Sequence, residues 1–438
     1  MWEEVYDLTL YAPSLGETAP GPGPGDSLLF RAAYLCHSVT ESDEPWTLTP
    51  RDLTGLLWDI AARAEDRGWR GNLWQMLLTE ELVCSENPYS MACEGNRDPG
   101  GTLSRLALRD LSIFRRLFTW EFEELRDQPG GACLPELLDY DPGDRKETPD
   151  GALLRMVRDR LAAAGSDEEF AEIVSGFYWN VGVGAYALDR AFRLSDDGAL
   201  RPLRGLKAVH LADLVGYEIQ KRQLRENTEA FLAGRESNNV LLYGDAGTGK
   251  STCVRALLTE YPDSGLRIVE VRKSQFRFLP DLIEHLRQRN YRFLLFIDDL
   301  SFEEHETEYK ELKAVIEGGL SPLPDNLRIY ATSNRRHIVR EVWKDRNDME
   351  HNGDVHRSDT VEEKLSLAGR FGVAINFSAP DRRLYHEMVL ELARRQLAHP
   401  PEEESLLLGA DAWEIRHGGV SGRTAQQYID HLAGKANN

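Results

Sequence analysis

The spacing of hydrophobic residues changes near residue 205. Before that point apolar positions recur at helical spacing, and after it helical stretches alternate with short apolar runs. The pattern over residues 1–204 therefore predicts a mainly α-helical N-terminal domain, and we expect no strand before about residue 205. From residue 205 onward the alternation predicts a mostly parallel sheet that is covered by helices on both faces.

Four amphipathic segments define the predicted helical domain. In the first, Leu53, Leu56 and Ile60 share one helix face, Thr49 caps the start and Gly68 ends the helix. Single helices are predicted over the segments 49–68, 103–125, 150–165 and 168–194. We interpret the aromatic residues of these segments as core packing, with a ligand groove as the alternative.

Short apolar runs predict the strands of the second half. They lie at residues 239–244, 266–271, 293–298, 327–333 and 373–378. Apolar runs of this length, separated by helical stretches, are typical of buried strands in an α/β domain.

Composition narrows the class of protein. The 438 residues include 41% hydrophobic residues, which is typical of a globular chain. A formal charge of -21 disfavours non-specific duplex binding by the bulk surface and leaves room for a local basic patch. Because the chain has no long apolar run and its five cysteines are scattered without a CxxC pair, we expect a soluble, cytoplasmic protein without a membrane segment, a disulfide framework or a zinc site.

A glycine-rich segment carries the clearest chemistry. Gly244, Gly249, Lys250 and Ser251 form the pattern G-x-x-x-x-G-K-S/T between an apolar run and a helical stretch. Backbone N–H groups of such a loop turn toward phosphates, and the following helix N-terminus adds partial positive charge. We expect Lys250 to reach the β- and γ-phosphates of ATP and Ser251 to bind Mg²⁺; a glycine-rich turn without ligand is the alternative. The predicted nucleotide-binding residues are Gly244, Asp245, Ala246, Gly247, Thr248, Gly249, Lys250, Ser251 and Thr252.

Two aspartates follow the apolar run 293–297. A carboxylate costs several kcal/mol to bury unless a cation or strong donors meet it, so the pair needs a partner. We expect this strand to lie beside the strand that precedes the glycine-rich loop. Asp298 would then lie at the Mg²⁺, and Asp299 would face the γ-phosphate, where a carboxylate polarises the attacking water. A helix N-cap pair is the alternative.

The ordered motifs resemble those of AAA+ P-loop ATPases. They are GDAGTGKST, FLLFIDDLSF, IYATSNRRH, LAGRFG and GVSGRTAQQYIDHL, and they extend over about residues 205–435. The set is similar to a bacterial ATP-binding AAA+ family of unassigned function. The resemblance implies an α/β P-loop NTPase subdomain at residues 205–378 and a small helical lid at residues 379–438.

The resemblance also implies roles for individual residues. Asn334 matches sensor 1, Arg370 matches the arginine finger that reaches the neighbouring subunit's nucleotide, and Arg423 matches sensor 2 of the lid. Gly216 and Tyr217 match the linker that contacts the adenine. These matches imply ATP and Mg²⁺ as cofactors and a homo-oligomer, a ring or spiral. The alternatives are a surface salt bridge for Arg370, a helix start for Arg423 and a strand-end hydrogen bond for Asn334.

One motif departs from the pattern of fast AAA+ motors. Many of them carry Asp-Glu where this chain has Asp298 and Asp299, one methylene shorter. On this point the chain is similar to initiator and loader types that hydrolyse slowly. Glu303 and Glu304 are alternative water-polarising groups, although a solvated helix face explains them as well.

We therefore predict a Mg²⁺-dependent ATPase that remodels or loads an unidentified protein partner. One alternative is a slow or non-hydrolysing nucleotide switch that docks a partner through the N-terminal domain. A second is a P-loop small-molecule kinase, which would need neither Arg423 nor the segment ATSN. The basic segment 333–340 makes nucleic acid a less favoured partner.

Overall fold

A computed structural model of the chain describes residues 2–11, 27–40, 50–302, 308–317, 322–334 and 369–436. The chain divides into two compact units, Met1–Asp189 and Arg190–Asn438. Within the described ranges, no helix combines the length and the apolar character that a membrane crossing requires.

The N-terminal unit is helical, as predicted. Its described α-helices are α1 (Leu28–Thr40), α2 (Pro50–Arg67), α3 (Leu73–Cys84), α4 (Pro88–Glu94), α5 (Gly100–Leu117), α6 (Glu123–Arg126), α7 (Leu134–Leu138), α8 (Pro149–Ala162), α9 (Asp167–Asn180) and α10 (Ala185–Leu188). The aromatic residues pack mainly in the core, since Phe114, Trp120, Phe122 and Tyr178 are buried, whereas Trp179 is exposed.

Helix α2 matches its predicted span. Leu53, Leu56 and Ile60 are buried on one face, and Gly68 follows the helix with a φ of 68°. A Cβ atom at Gly68 would lie 2.9 Å from the backbone nitrogen of Thr148. Both its positive φ and this close contact therefore require glycine at the end of the helix. Thr49, the predicted cap, lies outside the described residues.

The prediction of one helix over 103–125 is wrong, because α5 and α6 are separate. Phe122 adopts a left-handed φ of 57° between them. The ring centroids of Trp120 and Phe122 lie 4.4 Å apart, and those of Trp74 and Phe122 lie 4.8 Å apart. Burying these three rings stabilises the unit more than a continuous helix through Phe122 would.

The prediction of one helix over 168–194 is also wrong. Helix α9 ends at Asn180, and the following glycines Gly182 and Gly184 have φ values of 110° and 74°. A Cβ atom at Gly184 would lie 2.0 Å from Oε1 of Glu86, so the close approach of this loop requires glycine. The last residues of the predicted helix form a strand instead.

The C-terminal unit is an α/β domain followed by three helices. Its elements are β1 (Ala191–Leu194), β2 (Leu200–Pro202), α11 (Glu218–Leu232), β3 (Val240–Gly244), α12 (Lys250–Glu260), β4 (Leu266–Glu270), α13 (Leu279–Arg287), β5 (Arg292–Ile297), α14 (Glu308–Glu317), β6 (Leu327–Ser333), β7 (Val373–Phe377), α15 (Arg382–Gln396), α16 (Glu403–Arg416) and α17 (Gly422–Ala436). Strands β3 to β7 confirm the five predicted strands.

The sheet begins earlier in the chain than predicted. Strand β1 pairs in parallel with β4, and β2 pairs with β1 in antiparallel orientation. The expectation of no strand before residue 205 is therefore wrong, and the compact unit starts at Arg190 rather than at residue 205. Four and three residues are too few to show a strand periodicity against the helical pattern before them.

The strand order is β2-β1-β4-β5-β6-β3-β7. Strand β3 pairs with β6 and β7, whereas β5 pairs with β4 and β6. The expectation that the strand before Asp298 lies beside β3 is wrong, because β6 lies between them. The carboxyl ends of β3, β5 and β6 still meet at one edge, since these strands are parallel.

Helices α15, α16 and α17 form a small core of their own. Tyr385, Val389, Ala410 and Ile429 are buried in it. The helical N-terminal unit, the mostly parallel sheet with its glycine-rich loop and this helical cluster confirm the predicted fold class.

Candidate nucleotide-binding site

A cleft of about 920 Å³ lies within the C-terminal unit at the carboxyl edge of the sheet. Four parts of the unit line it. They are the glycine-rich loop and the start of α12 (residues 246–252 and Arg255), the strand ends (Asp298, Asp299, Thr332 and Asn334), residues of the segment 207–217, and the helical cluster (Met388, Leu392, Arg395, Gln396, Gly422, Arg423 and Gln426). The structure thus brings most of the predicted site residues to one place.

Glycines set the path of the loop between β3 and α12. Gly244, Gly247 and Gly249 have φ values of 131°, 77° and 88°. A Cβ atom at Gly244 would lie 2.2 Å from the carbonyl oxygen of Phe377, and one at Gly249 would lie 2.4 Å from Cδ2 of Leu214. Because a side chain at Gly244 would overlap the backbone of Phe377 and all three residues have a positive φ, the tight loop depends on glycine, as a phosphate-binding loop does.

The ammonium group of Lys250 lies inside this loop. Its Nζ donates to the carbonyl oxygens of Gly244 (2.9 Å) and Asp245 (2.7 Å) and to Oδ1 of Asn334 (3.0 Å). Burial lowers the pKa of Lys250, and the carboxylates of Asp245, Asp299 and Asp298 oppose that shift. Three acceptors therefore hold the ammonium group of Lys250 against the glycine-rich loop.

Asp298 connects β5 to the start of α12. Its Oδ1 accepts hydrogen bonds from Oγ of Ser251 (2.5 Å) and from Oγ1 of Thr332 (2.6 Å). Its Oδ2 lies 3.6 Å from Nη2 of Arg255. Thr332 lies near the end of β6, the strand between β5 and β3, so its hydroxyl group connects β6 to the end of β5.

Asp299 and Asn334 are in direct contact. The side-chain amide of Asn334 donates to Oδ1 of Asp299 (2.8 Å), and the backbone N–H of Asp299 donates to Oγ1 of Thr332 (2.9 Å). Asp299 adopts a left-handed φ of 53°, which a non-glycine residue rarely keeps unless its surroundings hold it. The two hydrogen bonds supply that restraint.

Tyr217, predicted to contact the adenine, and Arg423, predicted in the lid, both line the cleft. The backbone N–H of Arg423 donates to the carbonyl oxygen of Gly247 (3.2 Å), so α17 starts against the glycine-rich loop. Tyr217 lines the cleft, and burial raises its pKa to about 12, which keeps its hydroxyl group neutral. Gly216 is not among the lining residues of this cleft.

Arg370 is not brought to the cleft of its own chain. Its Nη2 lies 2.9 Å from Oε1 of Glu317, and its side chain is 48% exposed. This contact fits the alternative of a surface ion pair, and it leaves the guanidinium accessible from solvent.

Among the lining residues that the sequence-based prediction did not name, Thr332 and Arg395 make hydrogen bonds that shape the cleft. Thr332 bonds both aspartates, and its position near the end of an apolar run, two residues before Asn334, was the available signal. Arg395 of α15 donates to the carbonyl oxygens of Ala212 (3.2 Å) and Asp213 (3.3 Å) across the cleft. No motif marks Arg395, because its role depends on how α15 packs.

The residues fit ATP and Mg²⁺. The three glycines form a cradle that side chains would fill, and Lys250 lies within it. The hydroxyl group of Ser251 and the carboxylate of Asp298 are hard oxygen ligands that lie together, and Mg²⁺ is typically held by one or two protein oxygens, phosphates and water. Over the described ranges, no group of three or more His, Cys, Asp and Glu residues could hold a metal by itself.

The family described as "Protein of unknown function (DUF815)" matches residues 187–436, more than half of the chain. The chain belongs to this family. A further similarity of this DUF815 protein is to the replication factor C large subunit of Staphylothermus marinus, at 41% identity over 73 residues. That match covers 16% of this chain and 16% of the relative.

Solved structures show a likeness of fold alone. A point mutant of RuvB from Thermotoga maritima has 16% identity and a TM-score of 0.38, over 53% of the DUF815 chain and 67% of that chain. The FIGL-1 AAA domain in complex with ADP has 19% identity and a TM-score of 0.36, over 52% and 74% of the two chains. The glycine-rich loop, the strand order and the helical cluster of this DUF815 protein agree with the P-loop NTPase fold that its resemblance to AAA+ ATPases implies.

Proposed function

We propose that this protein binds ATP with Mg²⁺ in the cleft and hydrolyses the γ-phosphate at the interface between two copies of the chain, to remodel or load a protein partner. One observation carries the proposal. A continuous set of hydrogen bonds runs from the metal side to the phosphate side of the cleft through Ser251, Asp298, Thr332, Asp299, Asn334 and Lys250.

Thr332 positions the two aspartates of this set, and the other members act in water attack on the γ-phosphate. Lys250 and the loop amides bind the phosphates, and Ser251 with Asp298 holds Mg²⁺. Bound Mg²⁺ neutralises phosphate charge. Asp299 accepts a hydrogen bond from Asn334 through Oδ1, and its Oδ2 is available to orient the attacking water and take up its proton.

The site needs a further cation for the charge that develops on the transferred group. Arg423 lines the cleft from the lid. Arg370 is exposed and lies outside the cleft of its own chain, so we assign it to the cleft of a neighbouring subunit. This assignment requires an oligomer, a ring or spiral that forms with nucleotide.

The test is ATP turnover per chain against protein concentration, for the wild type and for Arg370→Ala. A shared site predicts a rate that rises with concentration and a loss of about 10³-fold in the variant, with ATP binding retained. Arg383→Ala is the matched control, since Arg383 is 88% exposed and pairs within its own helix.

Mixing two inactive variants sharpens this test. Lys250→Ala lacks the phosphate grip and Arg370→Ala lacks the donated cation, so a mixed oligomer contains some complete sites. Recovered turnover on mixing supports a shared site. A wild-type rate that does not depend on concentration, together with an active Arg370→Ala variant, would refute it.

A slow nucleotide switch is the second proposal, and Asp299 favours it. Its side chain is one methylene shorter than the glutamate of fast motors. Its carboxylate accepts a hydrogen bond from Asn334, and its backbone N–H donates to Thr332, so the residue is held in place. Tight ATP binding with negligible turnover in the wild type would select this function. In that case we propose that the N-terminal unit docks the partner.

Three further points concern nucleic acid as a partner, a kinase reaction and the location of the protein. The basic segment 333–340 is described only at residues 333 and 334, so nucleic acid stays a less favoured partner. A small-molecule kinase would not need the contact between α17 and the glycine-rich loop, which disfavours it. Location in the cytoplasm stays a prediction from the scattered cysteines.

A further inference from the structure

A buried lysine outside every sequence motif lies behind the cleft. Lys221, in the second turn of α11, has a relative exposure of 2%. A buried ammonium group is unfavourable unless acceptors surround it. Its Nζ donates to the carbonyl oxygen of Leu214, in the segment before α11, and to Oε1 of Glu218 (2.7 Å), in the first turn of the helix.

The residue that Lys221 holds has two contacts of its own. Leu214 lines the cleft, and its side chain packs at the glycine-rich loop, where a Cβ atom at Gly249 would lie 2.4 Å from its Cδ2 atom. A single hydrogen bond from Lys221 therefore fixes a residue that touches both the cleft and the phosphate-binding loop.

The backbone between Leu214 and Lys221 needs such a restraint. Gly216 and Tyr217 are consecutive left-handed residues, with φ values of 80° and 60°. A left-handed backbone is unfavourable for tyrosine because its Cβ atom crowds the following carbonyl oxygen. This reversal brings the start of α11 back beneath Leu214, within reach of the ammonium group.

Aliphatic side chains from the segment before α11 and from α15 line the cleft, together with the polar residues Asp213, Arg395 and Gln396. We call the aliphatic set the base slot, and it consists of Val209, Leu214, Val215, Met388 and Leu392. An apolar slot beside a phosphate-binding loop suits the planar base of a nucleotide. The position of Leu214 determines both the width of this slot and its distance from Gly249.

We propose that Lys221 is a positioning residue for nucleoside recognition, because it holds Leu214 between the base slot and the glycine-rich loop. The inference rests on the proposed ATP binding and deepens it. Leu214 meets the glycine-rich loop only through aliphatic side-chain atoms, which bind no phosphate oxygen, and phosphates alone do not use the base slot. Lys221 therefore contributes to ATP affinity and has little effect on the affinity for a bare phosphate chain.

Two ligands separate these contributions. Equilibrium affinities of Lys221→Met for MgATP and for inorganic tripolyphosphate with Mg²⁺ are compared with those of the wild type. We expect about tenfold weaker ATP binding, in line with the loss of a charged hydrogen bond, and less than about twofold change for tripolyphosphate. Arg222→Met is the matched control on the same helix, because Arg222 is exposed, and it should change neither affinity.

Equal losses for the two ligands, or no loss for either, would overturn the inference. If Lys221→Met does not fold by circular dichroism, Lys221→Gln decides, since glutamine gives the buried site a polar group but is too short to keep both hydrogen bonds of the lysine. It should weaken ATP binding about fivefold with tripolyphosphate unchanged, and unchanged ATP binding would overturn the inference. A wild type that does not bind ATP refutes the proposed function. If the wild type binds ATP and the ratio of its affinities for MgATP and tripolyphosphate is the same in both variants, only the role of Lys221 is refuted.

Discussion

Carboxylates have different surroundings in the two units. In the N-terminal unit, Asp110 is fully buried, and its Oδ2 accepts the backbone N–H groups of residues 9–11 at 2.6–3.1 Å. In the C-terminal unit, Asp298 and Asp299 lie in the cleft, held by hydroxyl and amide side chains. The first arrangement holds a chain segment in the fold, whereas the second leaves carboxylate oxygens for a ligand. The partners of an acidic residue, rather than its presence, thus separate a structural role from a ligand-binding role.

Net charge differs between the two units as well. Residues 1–189 contain 34 acidic and 16 basic residues, a formal charge of -18, whereas residues 190–438 contain 39 and 36, a formal charge of -3. Most of the net negative charge of the chain therefore lies on the helical unit. An argument from net charge against anionic ligands applies to that unit and has little force for the unit with the cleft.

The largest effect is expected at the ligand-binding carboxylate. Asp298→Asn should lower ATP turnover about 10²–10³-fold, since the amide is a poor Mg²⁺ ligand and one hydroxyl donor loses its acceptor. The midpoint of thermal unfolding should change little, because the side chain is partly exposed. A large fall in stability with normal turnover per folded chain would place Asp298 in the structural class with Asp110.

The structural carboxylate should behave in the opposite way. Asp110→Asn should lower the free energy of unfolding by about 2–4 kcal/mol, because three backbone donors lose a charged acceptor in a buried site. Urea unfolding measures this, with the exposed Asp144→Asn as the control within about 0.5 kcal/mol. If Asp110→Asn left the stability unchanged and weakened ATP binding, the contrast between structural and ligand-binding carboxylates would be wrong.

Thr332→Val tests the hydroxyl group that joins both aspartates. Turnover should fall about tenfold, since Asp298 loses a donor and the backbone N–H of Asp299 loses its acceptor while the shape is kept. The affinity for ATP without Mg²⁺ should stay within about twofold. An equal fall in metal-free binding would assign Thr332 to the loop rather than to the acidic pair.

The smallest effect is expected at Glu81 in the N-terminal unit. Burial raises the pKa of Glu81, while Arg63 opposes the shift and Glu80 adds to it. A raised folded pKa gives stability that is present below the ordinary value of 4.5 and is lost as the pH rises through the folded value. Glu81→Gln should thus be more stable than the wild type by about 0.5 kcal/mol at about pH 8 and not at about pH 4. The same difference at both pH values would contradict this.

Local patterns predicted most of the site, and packing determined the rest. The loop Gly244–Ser251 and the strand ends at Asp298 and Asn334 carry their chemistry within a few consecutive residues, which sequence reasoning can recognise. Lys221 and Arg395 act through backbone carbonyl oxygens of a distant or folded-back segment, and carbonyl groups carry no sequence signal.

The same limit explains the errors in the fold. The break at Phe122 depends on contacts with Trp74, 48 positions earlier in the chain, so the helical pattern of the segment could not show it. Strand β1 is defined by pairing with β4, and only the glycines after Asn180 indicated that the preceding helix ends. The order of β3, β6 and β5 is likewise a property of the sheet and not of any one strand.

The central claim is that the cleft of the C-terminal unit binds ATP with Mg²⁺. Isothermal titration of the full chain with MgATP, for the wild type and for Lys250→Ala, tests it most directly. We expect one site per wild-type chain and about 10²-fold weaker binding in the variant, because the buried ammonium group of Lys250 is lost from the loop. No heat of binding in the wild type, or equal affinity in a folded Lys250→Ala variant, would contradict the account.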